Sequence, residues 1–349
     1  MTGTDRGADA GLTSRMIRFA HADPHADQDA GRVLAEVREL EAVAADFYGA
    51  DAGHRRKRLS RIDLENPATA RLVATHPSFS HWISQVPTAA ALHPLYEPDA
   101  THYPSGVAVD DEIRQWFRNL ADARGIRSRA AVMQRLLVEA TDAAPGEVRW
   151  LSLACGAAQP VFRAMEHLVA LGRLPPRPTL ADLDRDALRL AQRYAADRGL
   201  RADTVRVNVL DRRGFDRLPT SVPGWRRRTG WHEAFDTVDA VGILEYLKPD
   251  DWTYRYDGVV STRRKQAGAI TFLRNAYACV RPGGLLVTGN MLDTHPELGF
   301  TMDVVQWPHV QPRSVEEVLD IVRAAGILGH VDVHLPTDGV YAVYAIRKP

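Results

Sequence analysis

The stretch Arg149-Trp150-Leu151-Ser152-Leu153-Ala154-Cys155-Gly156-Ala157-Ala158-Gln159 is a short apolar strand that runs into a turn of small residues and then into a helix. About twenty-five residues on, Leu180-Ala181-Asp182-Leu183-Asp184 forms an acidic strand end. Together they describe a nucleoside-binding crevice at the edge of an α/β sheet. The turn also chooses between cofactors. A dinucleotide fold uses G-x-G-x-x-G so that backbone N–H groups can approach a pyrophosphate. Only Gly156 is present, with Ala154 and Ala158 where further glycines are expected. The turn therefore suits a ligand with a ribose and no pyrophosphate, and S-adenosylmethionine is the expected one. A nicotinamide-dependent dehydrogenase is disfavoured on the same residues.

Beyond this stretch the pattern alternates. Apolar strands are expected at 150–155, 179–182, 205–210, 237–243 and 285–289, separated by helices at 160–171, 185–198, 249 onward and 267–280. Near-continuous apolar strands between amphipathic helices imply a parallel sheet covered on both faces. A helix at 314–325 then precedes strands at 330–335 and 340–346, joined by Pro336-Thr337-Asp338-Gly339. So short a link cannot cross over the sheet, so these two strands pair antiparallel. The expected fold class is α/β: a doubly wound, mostly parallel, seven-stranded sheet with an antiparallel C-terminal hairpin.

The first part of the chain reads differently. Residues 1–25 suggest a mobile tail, and 26–145 a mostly helical cap or lid, with 146–349 as the ligand-binding domain. From 27 to 47, Val33, Leu34, Val37, Leu40, Val43 and Phe47 recur at helical spacing. His54-Arg55-Arg56-Lys57-Arg58 is read as a solvated helix face. Residues 76–110, punctuated by Pro77, Pro87, Pro94, Pro98 and Pro104, are expected to be loop and short turns. Helices are expected from Asp110-Asp111 and again after Gly125.

Composition bounds the function. Lys+Arg equals Asp+Glu at 44 each among 349 residues, so no global field recruits nucleic acid or an anionic membrane. There is no Asn-Pro-Pro-Tyr-type turn for a flipped base. No run approaches the ~20 apolar residues that span a bilayer, and the N-terminal stretch lacks a signal-peptide core. The expectations are no nucleic acid, no stable membrane association and a cytoplasmic location, with the oligomeric state open. Cys155 and Cys279 suggest no disulfide framework, and no histidine set has metal-ligand spacing, so no metal is expected.

In these landmarks the chain resembles the class I SAM-dependent methyltransferases over roughly 146–349. LSLACGAAQ is similar to the loop that passes under the cofactor's methionine half, which implies contacts from Ala154, Cys155, Gly156 and Ala157. ADLDRDAL places Asp182, beside Leu183, where that family grips the ribose hydroxyls. VNVLD places Leu210 and Asp211 near the adenine, although Asp211 equally suits a cap for the turn that follows. FDTVDAVGILEYL and VRPGGLLVTGN resemble the strand-four and strand-five signatures and bring Gly242, Ile243 and Leu244 to the methyl-transfer corridor. A weaker resemblance, carried by GxxxYL, PGGxLxxGN, Trp307 and Arg313, is to the extracellular-factor branch, which makes methyl esters of 3-hydroxy fatty acids. The chain departs from it in Trp-Pro-His-Val-Gln-Pro-Arg, in a longer 250–266 segment, and in Ser152, where the wider family has an acid.

The resemblance implies in-line methyl transfer to a small molecule, with carboxylate, hydroxyl and amine acceptors all open. It is assisted by proximity and desolvation. His309, Glu245 and Tyr246 are the candidate catalytic groups, and Asn290, Trp307 and Arg313 the candidate substrate contacts. The alternatives are a specialised-metabolite methyltransferase with a different acceptor atom, or a SAM-binding regulator or scaffold without catalysis. Trp82, Tyr103, Trp116, Tyr254, Tyr256 and Trp307 either wall the pocket or form core. Arg127 and Arg129 are read as surface residues that could also reach the cofactor carboxylate.

Overall fold

The computed structural model describes residues 12–26, 30–49, 62–144, 146–217, 230–250, 255–256, 259–260 and 267–349. The basic run 54–58, Tyr254 and most of 250–266 lie outside them.

The first described element is a strand, β1 (Thr13–Phe19), where a mobile tail was expected. It pairs parallel with the penultimate strand, and Arg15 Nε donates to Asp332 Oδ1 at 2.9 Å. Its side chains are mostly exposed, so it carries no apolar alternation to announce it.

Among the described residues six helices follow: α1 (Ala30–Tyr48), α2 (Pro67–Thr75), α3 (Pro77–Ile83), α4 (Ala89–Tyr96), α5 (Asp111–Asn119) and α6 (Ala121–Ala143). Two of them, α3 and α4, overturn part of the expected loop character of 76–110. Pro67 and Pro77 sit in the first turns of α2 and α3, where the missing N–H would have had no intrahelical partner. The Asn66 side chain caps α2 and the Asp110 side chain caps α5. Pro77 thus marks a helix start and Pro94 lies within α4, while Pro87, Pro98 and Pro104 sit in turns as the sequence predicts.

The alternating half contains β2 (Trp150–Leu153), α7 (Gln159–Ala170), β3 (Thr179–Asp182), α8 (Arg185–Asp197), β4 (Asp203–Arg206), α9 (Arg212–Arg217) and β5 (Phe235–Ala240). A short pair, β6 (Arg255–Tyr256) and β7 (Val259–Val260), lies apart from the main sheet. Then come α10 (Ala269–Cys279), β8 (Val280–Met291), α11 (Val315–Ala324), β9 (His330–Pro336) and β10 (Tyr341–Arg347). Ser314 and Glu317 close a reciprocal capping box at the start of α11. The main sheet has eight strands in the order β1-β9-β10-β8-β5-β2-β3-β4, with β10 antiparallel to both neighbours. This is the class I methyltransferase fold, doubly wound with an antiparallel C-terminal hairpin. The eighth strand is β1, added at the edge beyond the expected seven.

The cap helices share one core with residues of the sheet half. Trp82, Trp116 and Phe117 pack with Phe300, Val304 and Trp307, which come from the segment after β8. Arg127 ties the cap helices to one another and to the segment before them. Its guanidinium pairs with Asp23 and donates to the carbonyls of Leu95, Phe117 and Arg118. Arg127 is 2% exposed, so the expected surface arginine is instead a fully engaged structural one.

Candidate functional site

A cavity of about 260 Å³ opens at the carboxyl ends of β2, β3 and β5, where open α/β sheets bind ligands. Its floor is the turn after β2. Ala154, Gly156 and Ala158 all have left-handed backbone, with φ of 47°, 55° and 56°. Two alanines therefore hold a conformation that glycine adopts without strain, at about 1 kcal/mol each. An added Cβ at Gly156 would stand 3.6 Å from Ala89 of α4, an ordinary contact. The need for glycine there comes from backbone conformation, not from a clash within the protein.

Asp182 closes the turn. Its Oδ2 accepts from the Gly156 N–H at 2.9 Å and its Oδ1 from the Asp184 N–H at 2.9 Å. The capping of α8 falls to Asp184, which accepts from the Asp186 N–H. Asp182 thus remains at the cavity, and the amino end of α7 (Gln159, Pro160 and Val161) lines it as well. Burial, reinforced by Asp182 and Asp239, holds the Cys155 thiol well above its ordinary pKa.

Gly242 and Ile243 line the cavity after β5, whereas several other residues expected as contacts stand elsewhere. Leu244 is buried in the sheet core. Leu183 is 53% exposed. Leu210 and Asp211 are not in the cavity wall, and Asp211 accepts from the Arg213 N–H at 3.0 Å, making it a cap at the start of α9.

The candidate catalytic groups divide. Tyr246 lines the cavity and its hydroxyl accepts from Trp307 Nε1 at 2.7 Å. Burial raises its phenol well above the ordinary value, so it stays neutral. Glu245 is 3% exposed and accepts from Arg129 Nη1 at 3.0 Å. It is engaged in a buried ion pair rather than free to act as a base. His309 is exposed, has a left-handed backbone and is outside the cavity wall, so the expectation of a base there is corrected.

The expected substrate contacts are structural. Arg313 donates to the Leu244 and Leu247 carbonyls and to Asn290 Oδ1, clamping the turn after β5 onto the end of β8. Asn290 spends its amide on the Met291 and Gln311 carbonyls. Trp307 is buried behind Tyr246 and meets Trp82 edge-on. Trp82, Trp116 and Tyr103 belong to the cap core, not to the cavity wall. Among the described residues no cluster has metal-ligand geometry.

Three further lining groups matter: sequence reasoning missed Tyr96 and Asp239, and it read Arg129 as a surface residue that could reach the cofactor carboxylate. Tyr96 and Arg129 come from α4 and α6, which roof the cavity. Arg129 is 3% exposed, and its guanidinium carbon sits 4.3 Å over the Tyr341 ring. The third is Asp239, on β5 directly across from Ser152 in register. Its carboxylate accepts from Ser152 Oγ at 2.7 Å and Trp150 Nε1 at 2.6 Å. Burial pushes its pKa up to about 7, while those two hydrogen bonds pull the other way. A period-two strand pattern would have put Ser152 and Asp239 each on a face, but not on the same face of adjacent strands.

No family model matches the chain, and no curated protein matches it either. Among solved structures it is similar to a possible exported protein from Bordetella parapertussis. Their identity is 17%, over 93% of this chain and 99% of that one, with a TM-score of 0.54. It is also similar to the CMeT domain of the citrinin polyketide synthase, at 13% identity, 93% and 99% coverage and a TM-score of 0.46. The first of these is a likeness of fold that takes in the helical cap as well as the sheet, and the strand order makes that fold the class I methyltransferase fold.

Proposed function

We propose that the chain is a SAM-dependent methyltransferase acting on a small molecule. One observation carries the reading: the left-handed turn 154–158 and Asp182, which accepts from the Gly156 N–H, stand together in the wall of a cavity that is acidic overall. Asp182, Asp184 and Asp239 line it, against a single lining arginine already paired with Glu245. An adenosyl sulfonium is cationic, needs no pyrophosphate cradle, and offers ribose hydroxyls that a strand-end carboxylate accepts in charge-assisted hydrogen bonds. Ala154, Cys155, Gly156 and Ala157 would pass under the methionine half, and Gly242 and Ile243 would line the transfer path. The helices over the cavity, with residues 26–145 acting as cap, favour a small acceptor over a polymer.

The acceptor reading follows from the protonation states. Tyr246 is held neutral, Glu245 is paired, and His309 lies outside the cavity. Proximity and exclusion of water then supply the rate, and an acceptor that needs no proton removed, such as a carboxylate or a neutral amine, fits best. Isothermal titration with S-adenosylhomocysteine tests the cofactor. Asp182→Ala, checked for an intact melting transition, is expected to weaken binding tenfold or more. Isotope-labelled SAM with a metabolite extract tests turnover by mass spectrometry. Binding without any labelled product would favour a non-catalytic SAM-binding protein instead.

A further inference from the structure

Asp239 is 2% exposed, lines the cavity and has no ion-pair partner among the described residues. Its two hydrogen-bond donors are both neutral. A buried carboxylate held by neutral donors at the wall of a ligand cavity lacks the positive charge that would make its ionisation favourable. The neighbouring elements do not provide one. On β2 it meets Ser152 and Trp150, and on β8 the in-register residue is Val287. From the turn after β2 the nearby group is the Cys155 thiol, whose pKa both Asp239 and Asp182 raise, and neither brings a positive charge. On the roof, Met133 is apolar and the Arg129 guanidinium is turned to Glu245 and Tyr341. Asp236, at the far end of β5, has its own arginines, Arg149 and Arg281.

We propose that Asp239 is the counter-ion for the ligand's cationic α-amino group, supplied from β5 across the ladder from Ser152. The assignment rests on the cofactor reading above and deepens it. In the unliganded protein the carboxyl, with its pKa pushed up to about 7, is half protonated near neutral pH and largely protonated below it. Arrival of an ammonium favours the carboxylate, and the displaced proton passes to solvent. Cofactor capture is thereby coupled to release of a proton, and it tightens as pH rises toward 7–8.

The test is calorimetric titration of S-adenosylhomocysteine into the wild-type protein and Asp239→Asn between pH 6 and 8, in buffers of different ionisation enthalpy. 5′-Methylthioadenosine, which lacks the amino-acid portion, serves as the control ligand. Wild type is expected to release up to one proton per ligand at the acid end and to gain up to about tenfold in affinity per pH unit there. Asp239→Asn is expected to lose tenfold or more in affinity for the homocysteine compound, with no proton release, yet to bind methylthioadenosine like wild type. Equal affinity and equal proton release in the variant would overturn the assignment and leave the cofactor reading standing. Failure of wild type to bind either ligand would overturn both.

Discussion

Two buried carboxylates stand six residues apart, and they behave differently. Glu245, in the turn after β5, is 3% exposed and Asp239, on β5, is 2% exposed. Burial raises the pKa of both. Glu245 has a guanidinium at 3.0 Å that pulls it back toward the charged form. Asp239 has only a hydroxyl and an indole N–H. What differs is the partner, not the depth. One acid is complete within the folded chain and fastens the roof helix to the sheet edge; the other is left for a ligand to complete.

The sharpest way to break this contrast is to take away Glu245's partner. Arg129→Met should destabilise the protein by about 3–5 kcal/mol, because it strands a buried carboxylate. Chemical denaturation at pH 7 checks it, and a loss below 1 kcal/mol would show that the pair is not buried as described. The same experiment on Asp239 should have the opposite sign. Its folded pKa of about 7 lies above its ordinary 3.8, so the wild-type site costs nothing below pH 3.8. The destabilisation grows between those values and is full above pH 7. Asp239→Asn should therefore stabilise the unliganded protein at pH 8 by up to about 4 kcal/mol, with the gain fading toward pH 4. A pH-independent difference would refute the sign.

The third contrast is within the turn. Gly156→Val should abolish measurable S-adenosylhomocysteine binding, since a β-branched residue disfavours a φ of 55° and its methyls would enter the cavity. Ala158→Gly, at φ 56°, should instead raise stability by about 0.5–1 kcal/mol, the smallest effect, read as a shift in melting temperature.

Much of the sheet was legible because its strands are buried on both faces. Thr179–Asp182 matches its predicted span residue for residue, and the link 336–339 required the antiparallel hairpin. Edge elements were not legible. β1 lies exposed at the sheet edge, and α2–α4 begin or continue through prolines that look like breakers until their first-turn positions are known. At the site, Asp182 and Gly156 could be read from a local turn. Asp211, Asn290 and Arg313 have side chains suited to ligands, but the chain engages them in capping α9 and in clamping the turn after β5.

The sequence alone determined that apolar strands alternate with helices and that a small-residue turn precedes a strand-end acid, because these follow from side-chain periodicity and local backbone preference. Only the tertiary structure decided which charges meet. Glu245 found Arg129 from a helix more than a hundred positions earlier, and Asp239 came to lie across from Ser152. Strand register and helix docking set those neighbours, and no local pattern records them.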